Sequence, residues 1–555
     1  MFVNRESGGA PREAIAEYCS LSAVALLIGL VSILLLTAIL YFLGKPISSL
    51  NLWLPLVGMV IFLAVVARSL PRFAALLIGQ AAILIPCLLI GAIAFDLSYD
   101  GQTCHQEAII LLGQGWNPFF GMPVQGINQL WINHYAKASE IFAAVLFHSS
   151  GNVEIGKSFN LILMGASFLL IFSAIARLGG GLGLAGIFAF LLAFNPVSLY
   201  QSLTYYVDGP LASLLVIYLA IACLLWNRSR LVYFLGLAAC LILLSNLKFT
   251  GAAYAGLLTL GTIGVFFFLG DKSRLKPFVA VSAASGLLAV SLVGFNPYIT
   301  NMMRAGHPFH PLSGPNAVDI MTPNMPADFQ EKGRVEKMAI SLFSRSDNPK
   351  PPAESQLKWP FFMTEWEVKT FTSPDARTGG FGPLFSGALL LSGVVLLWAF
   401  LASPRRLVMP TAVLLVIWGT ALANPEGWWA RYAPQIWVAA LLPCFVVLRT
   451  KSVPVLQGVS VLTILALVIN LSIVAFTYFG GQVEANLELR RQLARLREQP
   501  ETLQVYFYDF QSNRHRLQQA GVKFQEAPAP TFTTTEKLVA SRTELGVFEE
   551  KAREP

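Results

Sequence analysis

Thirteen apolar runs divide the 555-residue chain, each long enough, or nearly so, to cross a membrane. A spanning helix needs about 20 predominantly apolar residues. The runs lie at roughly 20–43, 52–67, 73–95, 158–176, 181–199, 210–226, 231–246, 252–270, 277–295, 383–402, 407–423, 432–449 and 454–479. A soluble chain has no use for so many. The charged residues agree, at 13% of the sequence against about 25% in soluble proteins. The pattern predicts an all-α polytopic membrane protein. The first run is too long for a signal-peptide core and lacks a cleavage site, so it reads as a retained span.

The short loops test that count. Cytoplasmic loops are enriched in Lys and Arg. With the N-terminus cytoplasmic, the inside loops carry Arg68 and Arg72, Arg177, Arg228 and Arg230, Lys272, Arg274 and Lys276, Arg405 and Arg406, and Arg449 and Lys451. All six basic loops fall on one side. The net charge of +8 is thereby explained by topology, because these cations form no basic face of the kind nucleic acid requires. Five of the six cysteines lie in or beside apolar runs, so no disulfide framework is expected.

The same count gathers the polar loops on the opposite face. These are the loop 96–157, "YQSLTYYVDG", "SNLKFTG", the long segment 296–382 and "ANPEGWWARYAPQ". The chain is expected to divide into a membrane module, 1–479, and an appendage, 480–555, on the same face as these loops. In the appendage "VEANLELRRQLARLREQP" suggests a helix, "TLQVYFYDF" a strand, and "QSNRHRLQQAGVKFQEA" a helix followed by a strand.

The densest polar cluster follows the third run, in "FDLSYDGQTCHQEAIILLGQGW". Its apolar positions Ala108, Ile109, Leu111 and Leu112 predict a short amphipathic helix on the membrane surface. His105 and Glu107 lie on that helix. Asp96 and Asp100 stand at the mouth of the span, where carboxylates are costly unless paired or wet. Either is a candidate for chemistry, and either could instead cap the helix. Asp208, behind Tyr206, opens the sixth run, where the helix dipole alone would favour it. Lys248 lies on the polar face, suited to an anionic headgroup or free to snorkel to water. Glu426 and Arg431 flank two tryptophans, either as a surface ion pair or with the arginine holding a phosphate bidentately.

In the long segment, Arg304 and His307 are candidates for substrate contact. His307 and His310 bracket a proline and have no third ligand, so no metal site is read there. "TGGFGP" lacks a Walker lysine, and no cytoplasmic segment is large enough to bind a nucleotide. A donor used on the outer face therefore has to arrive on a lipid carrier. A carboxylate base to deprotonate the acceptor and cations to steady a phosphate leaving group are what an inverting sugar transfer needs.

"YDGQTCHQEAIILLGQGWNP", "LTYYVDG", "NLKFTG" and "WWARY" together resemble the integral-membrane glycosyltransferases of the GT-C fold, a superfamily that includes protein mannosyltransferase-like and aminoarabinose transferase enzymes. The resemblance covers about residues 75 to 450. It implies a GT-C-like bundle, a polyprenyl-phosphate-linked sugar donor, and an extracytoplasmic glycan, lipid or protein acceptor in cell-envelope glycan synthesis. It implies Asp100 as base, Asp208 as second acid, and Lys248 and Arg431 as phosphate contacts. The family's adjacent acidic pair is missing, since Gly101 follows Asp100, which keeps Asp96 open as the base. No organic cofactor is implied; a divalent cation is one that two acids could hold. The implied setting is a bacterial inner membrane with the N-terminus cytoplasmic, and the partners are membrane lipids rather than nucleic acid. The competing readings are a polymerase or ligase using a polyprenyl-pyrophosphate glycan, and a lipid-glycan flippase. A flippase would carry ionisable groups in mid-span and pseudo-symmetric halves.

Overall fold

The computed structural model describes residues 9–547 apart from 271, 403, 451, 452 and 531. Lys451 and the side chains of Arg405 and Arg406 lie outside what is described. Each predicted apolar run is a helix. They are α1 (Gly9–Phe42), α2 (Leu50–Ala67), α3 (Leu70–Ile93), α4 (Ser158–Arg177), α5 (Leu182–Ala193), α6 (Asp208–Asn227), α7 (Leu231–Leu247), α8 (Phe249–Leu269), α9 (Leu275–Leu288), α10 (Phe385–Ala402), α11 (Pro404–Ala423), α12 (Ile436–Arg449) and α13 (Pro454–Glu498). Nine described helical stretches are long and apolar enough to cross a membrane, α9 counting as part of the stretch Lys272–Val293, and α5, α7, the Leu407–Ala423 part of α11 and α12 are shorter apolar helices. The chain is a polytopic membrane protein.

The helices are apolar all round, so sequence pattern does not rank them by depth; packing does. α4 packs against α1, α5 and α6, and α7 against α1, α6 and α8. Of the apolar window of α6, 78% is buried by other helices, against 11% for α3. α6 is therefore an inner helix, and α3 presents its surface to lipid. A second group, α10, α12 and α13, packs mutually.

The two ends of the bundle differ in chemistry. At one end Glu13 meets Arg228 at 2.5 Å and Arg177 at 3.4 Å, and Glu17 meets Arg230 at 3.0 Å. These are cations of the predicted inside loops. At the other end the loops after α3, α5, α7, α9 and α11 converge on one cavity.

The loop after α3 departs from expectation. Gly101–His105 forms a wide helical turn that runs into the helix Gln106–Gly113. Ala108, Ile109 and Leu112 are buried against the helix Ala138–Ser150. The apolar face is thus covered by protein and does not lie on lipid.

Helix α13 runs unbroken through residue 480 to Glu498. Beyond it lie β1 (Leu503–Tyr506), a helix Asn513–Gln519, β2 (Phe524–Glu526), β3 (Thr533–Lys537) and β4 (Glu544–Val547). The sheet order is β2-β1-β4-β3. β1 pairs with β2 in parallel and with β4 antiparallel. Leu489, Leu493, Val505, Leu517 and Leu545 form its core, and Phe95 and Leu97 from the loop after α3 pack against it.

Candidate functional site

The cavity is about 1160 Å³ and is lined by residues from every one of the five converging loops and from the appendage. Asp100, His105, Tyr206, Asp208, Lys248, Glu426 and Arg431 all line it. Sequence positions more than 300 residues apart are thus brought to one cavity. Asp100 is half-buried. Among the described residues its carboxylate has no hydrogen-bond or ion-pair partner, and it faces the cavity uncommitted.

Gly101 shows why no second acid follows. A Cβ there would stand 1.9 Å from Asp96 Oδ2 and 2.5 Å from Ser98 Oγ. The space beside Asp100 belongs to the Asp96 carboxylate. Asp96 itself is fully buried and does not line the cavity. Its carboxylate accepts hydrogen bonds from the backbone N–H of Ser98 at 2.8 Å and of Tyr205 at 2.7 Å. Burial pushes this carboxyl above the usual carboxylate range, partly offset by Lys157. The two acids four residues apart therefore do different things: one ties loops together and the other meets the cavity.

Asp208 opens α6 and is committed to cations. Lys248 Nζ donates to Asp208 Oδ1 at 2.5 Å, and Arg431 Nε stands 3.6 Å from Oδ2. Gln201 completes the set, donating to Asp208 Oδ2 at 3.3 Å and accepting from the Gly209 N–H at 2.7 Å. Both cations lie against rings. Lys248 is 3.9 Å above Tyr432, and Arg431 lies 4.5 Å from Trp429 and 5.1 Å from Tyr206. Such stacking favours a desolvated cation. Arg431 Nε and Nη1 are buried and have no hydrogen-bond partner among the described residues. Nε already points between the Asp208 and Asp375 carboxylates, so Nη1 is the guanidinium nitrogen left to meet an oxyanion. Arg431 does not form the surface pair with Glu426 weighed from sequence. Glu426 instead accepts from Trp428 Nε1 at 2.6 Å.

Sequence reasoning missed Asp375 and Arg377. They lie in "SPDARTGG", inside a segment with no periodic pattern to mark them. Asp375 accepts from Trp429 Nε1 at 3.1 Å and stands 3.9 Å from both Arg431 and Arg377. Burial pushes its carboxyl up, and the nearby Asp100 and Asp208 add to this against the pull of Arg431 and Arg377. Arg377 donates to Asn324 Oδ1 at 2.9 Å, and its Nε has no hydrogen-bond partner among the described residues. Around Asp208 and Asp375 cluster three cations, Lys248, Arg377 and Arg431, for two carboxylates, while Glu426 and the exposed Asp319 add negative charge elsewhere on the lining. Lys350 and Arg542 add exposed positive charge at the rim.

His105 also lines the cavity. It meets Glu140 at 2.9 Å, and Glu140 meets Lys137 at 3.2 Å. Glu107 does not line the cavity and accepts from Asn128 at 2.8 Å. Arg304 is exposed and His307 half-buried, and neither is part of the cavity.

Among the described residues no group of three or more His, Cys, Asp or Glu is placed to hold a metal ion. The donor chemistry agrees: Asp208 and Asp375 already face ammonium and guanidinium groups, which leave little room for a divalent cation between them.

The chain matches no protein-family model and no curated protein. Comparison with solved structures finds ArnT from Cupriavidus metallidurans in the apo state, with 11% identity over 86% of this chain and 99% of that one, at a TM-score of 0.45. It also finds ArnT from the same organism bound to undecaprenyl phosphate, with 12% identity over 85% of this chain and 98% of that one, at a TM-score of 0.36.

Proposed function

We propose that this chain is an inverting, GT-C-type glycosyltransferase that moves a sugar from a polyprenyl-phosphate carrier to a glycan, lipid or protein acceptor. One observation carries the reading. An uncommitted carboxylate, Asp100, and a cluster of three cations, Lys248, Arg431 and Arg377, share one cavity at the ends of the spans. The two groups match the two charges that change in such a transfer.

Asp100 accepts the proton of the acceptor nucleophile as it attacks the anomeric carbon. The bond from that carbon to the phosphate oxygen breaks, and the polyprenyl phosphate leaves with the electron pair. The unpaired Nη1 of Arg431, with Lys248, meets the developing charge. Asp208 is then an orienting acid that fixes both cations. The carrier's tail lies among the spans and its headgroup reaches the cavity from the lipid, so no nucleotide site is needed. We assign the cavity to the extracytoplasmic face of a bacterial inner membrane. The arginine-rich opposite end of the bundle supports that orientation. The membrane module then comprises residues 1–479, and 480–555 is an extracytoplasmic appendage.

The test is transfer by purified protein in nanodiscs, given a panel of radiolabelled polyprenyl-phosphate sugars and host membrane extract as acceptor. Donor-dependent labelling of the extract is expected. No turnover of any donor, together with movement of carrier across a vesicle bilayer, would refute the transferase and favour a flippase.

A further inference from the structure

We propose that Arg516 of the C-terminal appendage is a positioning residue: it clamps the 96–106 loop from behind and so sets where Asp100 points. The proposal rests on the transferase reading only for the role given to Asp100.

Arg516 is buried, at 4% exposure, and spends its guanidinium on the loop after α3. One nitrogen, Nη2, donates to the backbone carbonyl of Asp96 and to Glu154 Oε1, each at 2.9 Å. The other, Nη1, donates to Gln102 Oε1 and to Asn513 Oδ1, each at 2.9 Å. Asp96 and Gln102 bracket Asp100. Glu154 is held on its other side by Lys157 and accepts from the Asp96 backbone N–H at 2.9 Å. Asp96, Glu154, Lys157 and Arg516 form a buried quartet of two acids and two bases. The appendage supplies Arg516, one of the two cations that meet Glu154.

Further bonds repeat the link. Ser512 Oγ donates to the Gln102 carbonyl at 2.5 Å, and Gln102 Nε2 donates to the Ala540 carbonyl at 2.8 Å. Asn128 Nδ2 reaches the Asp509 carbonyl at 2.8 Å, and the Tyr99 hydroxyl donates to Asp509. The appendage core also takes in Phe95 and Leu97. Residues on both sides of Asp100 are thus fastened to the appendage, while the Asp100 side chain is left free toward the cavity. A fork with several donors in fixed geometry holds a loop where a flexible ammonium cannot.

The experiment uses full-length protein in nanodiscs: wild type, Arg516→Ala, and the double variant Glu154→Gln/Arg516→Gln. The double variant removes one charge of each sign, so it keeps the buried charge balanced if the single variant fails to fold. Amide exchange of residues 96–112 is measured with α6 as internal reference, alongside kcat and donor KM. The clamp predicts faster exchange in 96–112 relative to α6, and a kcat lower by about ten- to a hundredfold, as for a misplaced catalytic group, with donor KM close to wild type. Wild-type exchange of 96–112 and wild-type kcat in the folded variants would overturn it. If wild type transfers no sugar while the Arg516 variants still loosen 96–112, the transferase reading fails and the clamp stands.

Discussion

Lys248 and Asp208 stand 2.5 Å apart, both nearly inaccessible, at the junction of two loops 40 residues apart in sequence. The pair is buried beside a large cavity, and Arg431 approaches the same carboxylate. A buried pair is weak evidence of net stabilisation, but breaking one by removing a single partner costs about 3–5 kcal/mol. Asp208→Asn is therefore expected to lower the thermal midpoint substantially, since it leaves Lys248 buried without its partner. Thermal unfolding of the detergent-purified variant checks this. An unchanged midpoint would mean that the pair does not form.

Arg431 is expected to decide donor affinity. Its Nη1 has no hydrogen-bond partner among the described residues, and it belongs to the three-cation cluster beside the cavity. A hydrogen bond to a charged group contributes about 2 kcal/mol, or roughly thirtyfold in Kd. Arg431→Lys keeps the charge but loses the fork and the stack on Trp429. Binding of a polyprenyl-phosphate sugar by Arg431→Lys should weaken by about that factor. Affinity equal to wild type would remove Arg431 from the phosphate site.

His105 makes stability depend on pH. Burial alone would depress its pKa, but the hydrogen bond and charge of Glu140 outweigh burial and raise it above the usual 6.5. A raised histidine stabilises the fold fully below pH 6.5 and loses that contribution as pH climbs through its folded value. The difference in thermal midpoint between wild type and His105→Gln should be largest below pH 6.5 and shrink as the pH rises above it through the raised folded value. A difference that grows with pH would contradict the pairing.

Gly101→Ala places a methyl 1.9 Å from Asp96 Oδ2. Overpacking of this kind costs about 1–3 kcal/mol, and here it falls inside the loop that carries Asp100. The variant should unfold earlier and turn over more slowly. Gly458→Ala, where a Cβ meets nothing within 4 Å, is the control and should be neutral or stabilising.

The spans were legible because each needs a long apolar run, and the alternation of basic loops checked the count. The cavity's rim was legible in part, since polar residues at span ends are costly and stand out. Asp96 and Asp100 looked alike, because sequence does not say which way a loop side chain turns. Only the Asp96 contacts with Ser98 and Tyr205 separate them. Asp375 and Arg377 were invisible for another reason. Their meaning comes from Arg431, more than 50 residues away, and nothing local marks a loop aspartate as facing a guanidinium. In the appendage β1 was visible in the alternating, aromatic-rich "TLQVYFYDF", and β2 in "GVKFQEA" after a helical stretch. β3 and β4 were not, because "TTTEK" and "ELGV" carry little alternation. The end of α13 read as a separate helix, since its pattern changes from apolar to charged without any break in the backbone.

The central claim is that Asp100 is the base and the three-cation cluster holds the donor. The most direct test measures both functions in one variant, Asp100→Asn, in nanodiscs. Binding of the polyprenyl-phosphate sugar should match wild type, while transfer should fall by about 10²–10⁴, the loss expected of a missing general base. Transfer at the wild-type rate by Asp100→Asn would contradict the account.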